Sequence, residues 1–132
     1  MSAEPILTIN GLNVRFRVPE GEVHAVRGIK MDVREHETIA IVGESGSGKS
    51  QAMMAAMGLL AANGQAEGSI RYREKELVGM PERQLNRIRG ERITMIFQEP
   101  MTSLDPLYTI GRQLAEPLMV HGDMSRRAAR AR

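Results

Sequence analysis

Between Gly43 and Ser50 the chain reads Gly-Glu-Ser-Gly-Ser-Gly-Lys-Ser. Gly46 and Gly48 can take backbone conformations that other residues avoid, and so turn successive N–H groups inward onto an anion. Lys49 brings a positive charge to the same place, and Ser50 brings a hydroxyl suited to Mg²⁺. Gly43, Gly48, Lys49 and Ser50 fit the spacing Gly-x-x-x-x-Gly-Lys-Ser/Thr, in which backbone donors cradle phosphates and the lysine reaches the β- and γ-phosphates. The expected ligand is a nucleoside triphosphate with Mg²⁺, held by Gly43, Glu44, Ser45, Gly46, Ser47, Gly48, Lys49 and Ser50. The spacing, with the lysine inside the loop, excludes a kinase-type or dinucleotide glycine loop.

Such a loop needs a strand before it and a helix after it. Thr38 to Val42 is a short apolar run that predicts the strand, and Lys49 to Leu60, with Met53, Met57 and Leu60 at helical spacing, predicts the helix. Asn63 and Gly64 supply its stop. Upstream, alternation around Ile6, Thr8, Leu12, Val14 and Phe16, and again from His24 to Val33, predicts an antiparallel pair turning at Pro19 to Gly21. Downstream, Ser69 to Leu77 reads as a polar surface strand. Pro81 suits the first turn of a short exposed helix with Leu85 and Ile88 on its apolar face and Gly90 at its end. Ile93 to Phe97 reads as a buried parallel strand, followed at once by Gln98 and the breaker Pro100. From Ile110, Leu114 and Leu118 return to helical spacing, with Pro117 expected to bend or end that helix and Ser125 to cap another.

Composition removes several classes of function. With 132 residues the chain has room for one core. It has no cysteine, so disulfides, thiolate metal sites and cysteine nucleophiles are excluded, which fits a reducing compartment. The 18 basic residues are balanced by 16 acidic ones, too even a mixture for nucleic acid. Arg126, Arg127, Arg130 and Arg132 read as the exposed face of a helix. No stretch nears the ~20 apolar residues of a membrane span and no export signal opens the chain. Phe16, Phe97, Tyr72 and Tyr108 are the whole aromatic inventory, so the core is expected to be aliphatic, with ten methionines to hand.

The loop in its context Ile-Val-Gly-Glu-Ser-Gly-Ser-Gly-Lys-Ser-Gln, together with Met95 to Leu107 (Met-Ile-Phe-Gln-Glu-Pro-Met-Thr-Ser-Leu-Asp-Pro-Leu), resembles the ATP-binding subunits of ABC transporters, in particular the oligopeptide and dipeptide (peptide/nickel) import branch. The resemblance also takes in Asn63 to Ile70, Pro81 to Asn86 and the helix from Ile110. It implies an α/β fold of the ABC ATPase type, the N-terminal part of a P-loop NTPase: N-terminal antiparallel strands, a partial parallel core sheet with the P-loop helix, and the start of a helical subdomain. Residues 1–100 would be the core and 101–132 the truncated start of that subdomain. Gln98 would begin the Q-loop, contacting Mg²⁺ and water beside the Ser50 ligand while its loop touches the membrane partner. Glu99 to Pro106 would lie at the entry to the helical subdomain that docks on that partner.

Three positions depart from the family's pattern. His36 stands before Glu37 where a glycine is usual. Val18 precedes Pro19 where an adenine-stacking aromatic is expected, which leaves Phe16 as either the stacking residue or a core residue of the first strand. Gln51 replaces a threonine, so its α-phosphate contact would come from backbone N–H.

The family's Leu-Ser-Gly-Gly-Gln signature, catalytic glutamate and switch histidine are not in this sequence, and His121 sits in a turn-like Val-His-Gly-Asp. The resemblance therefore implies an N-terminal piece of an ATP hydrolase in which Lys49 and Gln98 assist but no catalytic residue is present, inactive by itself. The implied partners are a second ABC ATPase domain, as homo- or heterodimer, integral-membrane permease subunits and, through them, an extracytoplasmic solute-binding protein, with the protein peripheral on the cytoplasmic face of the inner membrane. An ABC-type ATPase free of any transporter, the N-terminal half of a fused double-ATPase protein and a non-hydrolysing switch module are the alternatives.

Overall fold

Alternating apolar residues in the first third of the chain fold into a hairpin. The computed structural model describes residues 4–99 and 102–132, in two compact units, Met1–Leu85 and Asn86–Arg132. The expected division at 100/101 falls on residues outside those described, as does the expected breaker Pro100. In the first unit β1 (Leu7–Val18) and β2 (Gly21–Val33) run antiparallel, and Val18 pairs with Gly21 across the two-residue turn Pro19-Glu20. With β3 (Gly64–Tyr72) and β4 (Lys75–Glu76) they form a four-stranded antiparallel sheet in the order β2-β1-β3-β4. Ile9, Leu12, Val14 and Ile70 are fully buried on it. Each such side chain contributes roughly 1.5–3 kcal/mol by leaving water.

The helix α1 (Lys49–Ala56) packs on β1 and β2, burying Ala52, Ala55 and Ala56 rather than the expected methionine stripe, although Met57 is buried at its end. It is shorter than the sequence suggests. Gly58 adopts φ +66° and donates to the Ala55 carbonyl at 3.1 Å, while Leu59 donates to Met54 at 2.8 Å. These two bonds form a Schellman stop that satisfies the last carbonyls of the helix. Asn63, expected as the stop, instead extends the sheet: its side chain donates to the Arg17 carbonyl and its own carbonyl accepts from the Arg17 N–H.

The expected surface strand Ser69 to Leu77 is broken. Arg73, with φ +51°, and Glu74 turn the chain between β3 and β4, and Glu76 returns to bond Ser69 Oγ and the Ile70 N–H. The short helix α2 (Glu82–Leu85) follows Pro81, whose carbonyl accepts from Gln84 and Leu85.

The parallel part of the expected sheet does not form among the described residues. Neither Thr38–Val42 nor Thr94–Phe97 is paired as a strand, and the parallel contact present is a single bridge between Arg89 and Ile93. An apolar run supplies side chains fit to be buried on both faces, but a strand exists only where a neighbour takes up its N–H and C=O groups. Val42 and Ile96 are accordingly 89% and 98% exposed.

In the second unit α3 (Ile110–His121) and α4 (Arg126–Ala131) pack together with Ala115 and Ala129 buried. Thr109 caps α3 through Oγ1 to the Arg112 N–H, and Ser125 caps α4, as its sequence predicts, by accepting from Ala128. Pro117 does not end α3, which continues to His121. Its missing N–H leaves one helical bond unmade, and the helix stops a turn later at Gly122. His121 is half-buried over Gly90, not the surface residue that its turn-like context suggests. Among the described residues no helix is long and apolar enough to cross a membrane.

Candidate functional site

The start of α1 is the chemical centre of the first unit. Gly48 is its N-cap at φ 94°, ψ 5°, and no side chain caps the helix. Ala52 makes the first helical bond, 3.1 Å to the Gly48 carbonyl, so the N–H groups of Lys49, Ser50 and Gln51 precede any intrahelical acceptor. These donors and the positive end of the helix dipole make a seat for an anion.

The glycines of the loop have different reasons to be there. At Gly43 a Cβ would stand 2.7 Å from Ser47 Oγ, so the missing side chain lets Ser47 and Lys49 fold across the loop. Gly46, at φ +82°, has open space around it, and its requirement is conformational. At Gly48 both constraints act: φ is positive and a Cβ would stand 2.5 Å from the Ala25 carbonyl of β2.

Lys49 is drawn back over the loop. Its Nζ donates to the Gly43 carbonyl at 2.5 Å, to the Glu44 carbonyl at 2.8 Å and to Ser47 Oγ at 3.3 Å, which uses its three protons. Glu44 also accepts from the Ser47 N–H, closing the turn. All of Lys49's acceptors are neutral. Phosphate oxygens are anionic and make shorter, stronger bonds to an ammonium, so exchanging carbonyls for a phosphate is favourable.

The residues fit a Mg²⁺–triphosphate. The cradle is one that a Cβ at Gly43 or Gly48 would fill, its donors are uncapped N–H groups and a lysine, and the Ser50 side chain is exposed at the helix start. Among the described residues no cluster of three or more His, Asp or Glu could hold a metal. A metal at this loop would therefore take Ser50 Oγ together with phosphate and water oxygens, which suits Mg²⁺.

The structure brings Gly43 through Gln51 together in one loop and helix turn. Gln98 belongs to the second unit, where it is exposed in a bend directly after the unpaired Thr94–Phe97 segment. Phe16 lies on β1 opposite Gly64, with its ring against that residue: a Cβ there would meet the ring at 2.6 Å. Phe16 itself is half-buried. His36, in the turn before the loop, takes φ +61°, where the family's usual glycine would be at ease.

Sequence reading missed Asn13 and Ala25. Ala25 is an extra residue on β2, because Val14 pairs with Val26 and Arg15 with His24. Asn13 Oδ1 accepts from the Gly28 N–H at 3.1 Å and from His24 Nε2 at 2.9 Å, while its Nδ2 donates to the Gly11 carbonyl at 3.1 Å. No local signal marks a bulge, since it arises from two strands together.

Known proteins resemble this chain over most of its length. A family model described as ABC transporter matches residues 26–132. The oligopeptide transport ATP-binding protein OppD of Escherichia coli strain K12 is 50% identical over 127 residues, covering 96% of this chain and 38% of the relative. The dipeptide transport ATP-binding protein DppD of Lactococcus lactis subsp. cremoris is 45% identical, covering 92% and 35%. A putative peptide import ATP-binding protein of Brucella ovis is 49% identical, covering 98% and 40%. The chain thus spans about two fifths of the length of these relatives. A solved bacterial ABC transporter cassette, MJ0796, described as dimeric, matches with a TM-score of 0.80 at 24% identity, over 95% of this chain and 53% of that one. At that identity the likeness speaks for the fold alone.

Proposed function

The chain belongs to the ABC transporter family, and from that premise we propose that it is the nucleotide-binding part of an ATP-hydrolysing subunit that energises import of peptides or similar small solutes. The observation that carries this reading is the start of α1, where uncapped N–H groups, the glycine cradle and Lys49 converge on one anion site. The names of the similar proteins, which concern oligopeptide, dipeptide and peptide transport, support the cargo class.

In this reading the N–H groups of the loop and first helical turn hold the β- and γ-phosphates, and Lys49 leaves the Gly43 and Glu44 carbonyls to join them. Ser50 Oγ would hold Mg²⁺. When bound, the metal neutralises charge that builds on the phosphate oxygens during transfer. Gln98 has the metal and water role that the family resemblance implies, and its amide oxygen suits such a role. Phe16 is retained as a candidate adenine contact. Its half-buried ring is aromatic surface of the kind that stacks on a base. A second ATPase domain completes the site, permease subunits receive the motion and an extracytoplasmic binding protein delivers cargo to them. The protein works at the cytoplasmic face of the inner membrane.

Photolabelling with an ATP analogue and Mg²⁺, comparing wild type, Lys49→Ala and Gln98→Ala, tests the site. Labelling should drop by about tenfold or more for Lys49→Ala, in line with losing a charge-assisted bond. Equal labelling of all three proteins excludes the assignment.

A further inference from the structure

The P-loop rests on a part of the sheet with its own fastening. Two irregularities lie close together on β2. Ala25 is the extra residue between the pairs Val14–Val26 and Arg15–His24, and the register shifts again between Val26 and Ile29, where Gly28 takes φ +63°. The bulged Ala25 peptide turns its carbonyl against Gly48, the last glycine of the loop and the N-cap of α1. The height of that peptide therefore sets where α1 begins, and with it where the N–H groups of Lys49, Ser50 and Gln51 point.

Asn13 holds the two ends of this stretch. Its Oδ1 accepts from His24 Nε2–H on one side and from the Gly28 N–H on the other, at 2.9 Å and 3.1 Å. With Gly28 also donating to that oxygen, His24 must present Nε2 as the proton-bearing nitrogen. Nδ2 is tied to the Gly11 carbonyl on β1. Residues 24–28 cannot flatten into regular register unless Asn13 gives up these bonds. Val14 and Val26, paired across the two strands within this stretch, are buried and anchor it to the core.

We propose that Asn13, acting through His24 and Gly28, is a positioning residue for nucleotide binding: it fixes the bulge at Ala25 on which Gly48 and the phosphate cradle are seated. The inference rests on the nucleotide reading above. A bulge beside a functional loop is a common device for aiming it. Here the device acts through the Ala25 carbonyl against the Gly48 backbone.

The test is equilibrium binding of a fluorescent ATP analogue with Mg²⁺ to the protein expressed from its complete reading frame, with thermal midpoints measured in parallel. Asn13→Ala should weaken binding about fivefold, the effect of one net hydrogen bond. Asn13→Asp keeps the acceptor for His24 and Gly28 and should bind within about twofold of wild type. Arg15→Ala removes side-chain ion pairs to Glu22 and Glu67 while keeping the backbone pairing of residue 15 with His24, and controls for general loosening of the sheet. Its affinity should be unchanged. Wild-type affinity in Asn13→Ala, with Lys49→Ala weakened, overturns the positioning role. So does a loss that tracks the thermal midpoint equally in Asn13→Ala, Asn13→Asp and Arg15→Ala. Wild-type affinity in Lys49→Ala overturns the nucleotide reading instead.

Discussion

Gly48 lies so close over Ala25 that a Cβ on the glycine would stand 2.5 Å from the alanine carbonyl oxygen. Two constraints coincide at one residue, since Gly48 is also at φ 94°. Gly48→Ala should therefore fail in both respects, losing roughly 1–3 kcal/mol of stability from the left-handed conformation alone. Nucleotide affinity should fall further than in Lys49→Ala, because the whole helix start must move. Urea denaturation and analogue binding measure the two effects, and an alanine variant that binds like wild type contradicts the packing.

Ile70, on β3, is fully buried opposite Ile9 of β1. Ile70→Ala removes its packing from the centre of the sheet and should cost about 2–5 kcal/mol in chemical denaturation. A loss below ~1 kcal/mol means that the neighbouring strands close the gap, which the pairing on both sides of β1 opposes.

The Gln113 side chain staples the loop that precedes α3. Oε1 accepts from the Asp105 N–H at 2.8 Å, and Nε2 donates to the carbonyls of Asp105 and Tyr108 at 2.9 Å and 3.0 Å. Asp105 adds its own turn, accepting from the Leu107 N–H. Gln113→Ala should speed amide hydrogen exchange across residues 105–109 by about tenfold, since exposed bonds of this kind are worth about 1 kcal/mol each and are not fully additive. Unchanged exchange would show that the Asp105 turn suffices.

Pro117 sits inside α3, where it lacks the N–H that would bond the Gln113 carbonyl. Pro117→Ala should restore that bond and stabilise the second unit by about 1–3 kcal/mol, because proline is the least favourable residue in a helix interior. A raised thermal midpoint with greater helical circular dichroism is the expected result. A lowered midpoint means that the proline ring packs in a way that alanine cannot replace.

Much of the site was legible because its chemistry is local. Gly43, Gly46, Gly48, Lys49 and Ser50 act through backbone freedom, one charge and one hydroxyl within eight residues, and their spacing alone implies the cradle. The β1–β2 hairpin was legible for a similar reason: alternation plus Pro19-Glu20-Gly21 specifies both the strands and the turn. Local chemistry misled where two stop signals competed. Gly58 ended α1 early because its left-handed conformation completes the Schellman bonds at once, which freed Asn63 to join the sheet.

The sequence by itself determined the glycine-rich loop Gly43 to Ser50 and the chain's likeness to the ABC transporter family, because the loop's pattern lies within eight residues. Tertiary structure decided what the loop stands on. The bulge at Ala25, the Asn13 fastening and the contact with Gly48 join residues 13, 25 and 48, and no window of sequence contains all three. It also decided that Thr38–Val42 and Thr94–Phe97 remain unpaired among the described residues, because apolar content specifies the wish to be buried while a ladder requires a neighbour to supply the other half of each hydrogen bond.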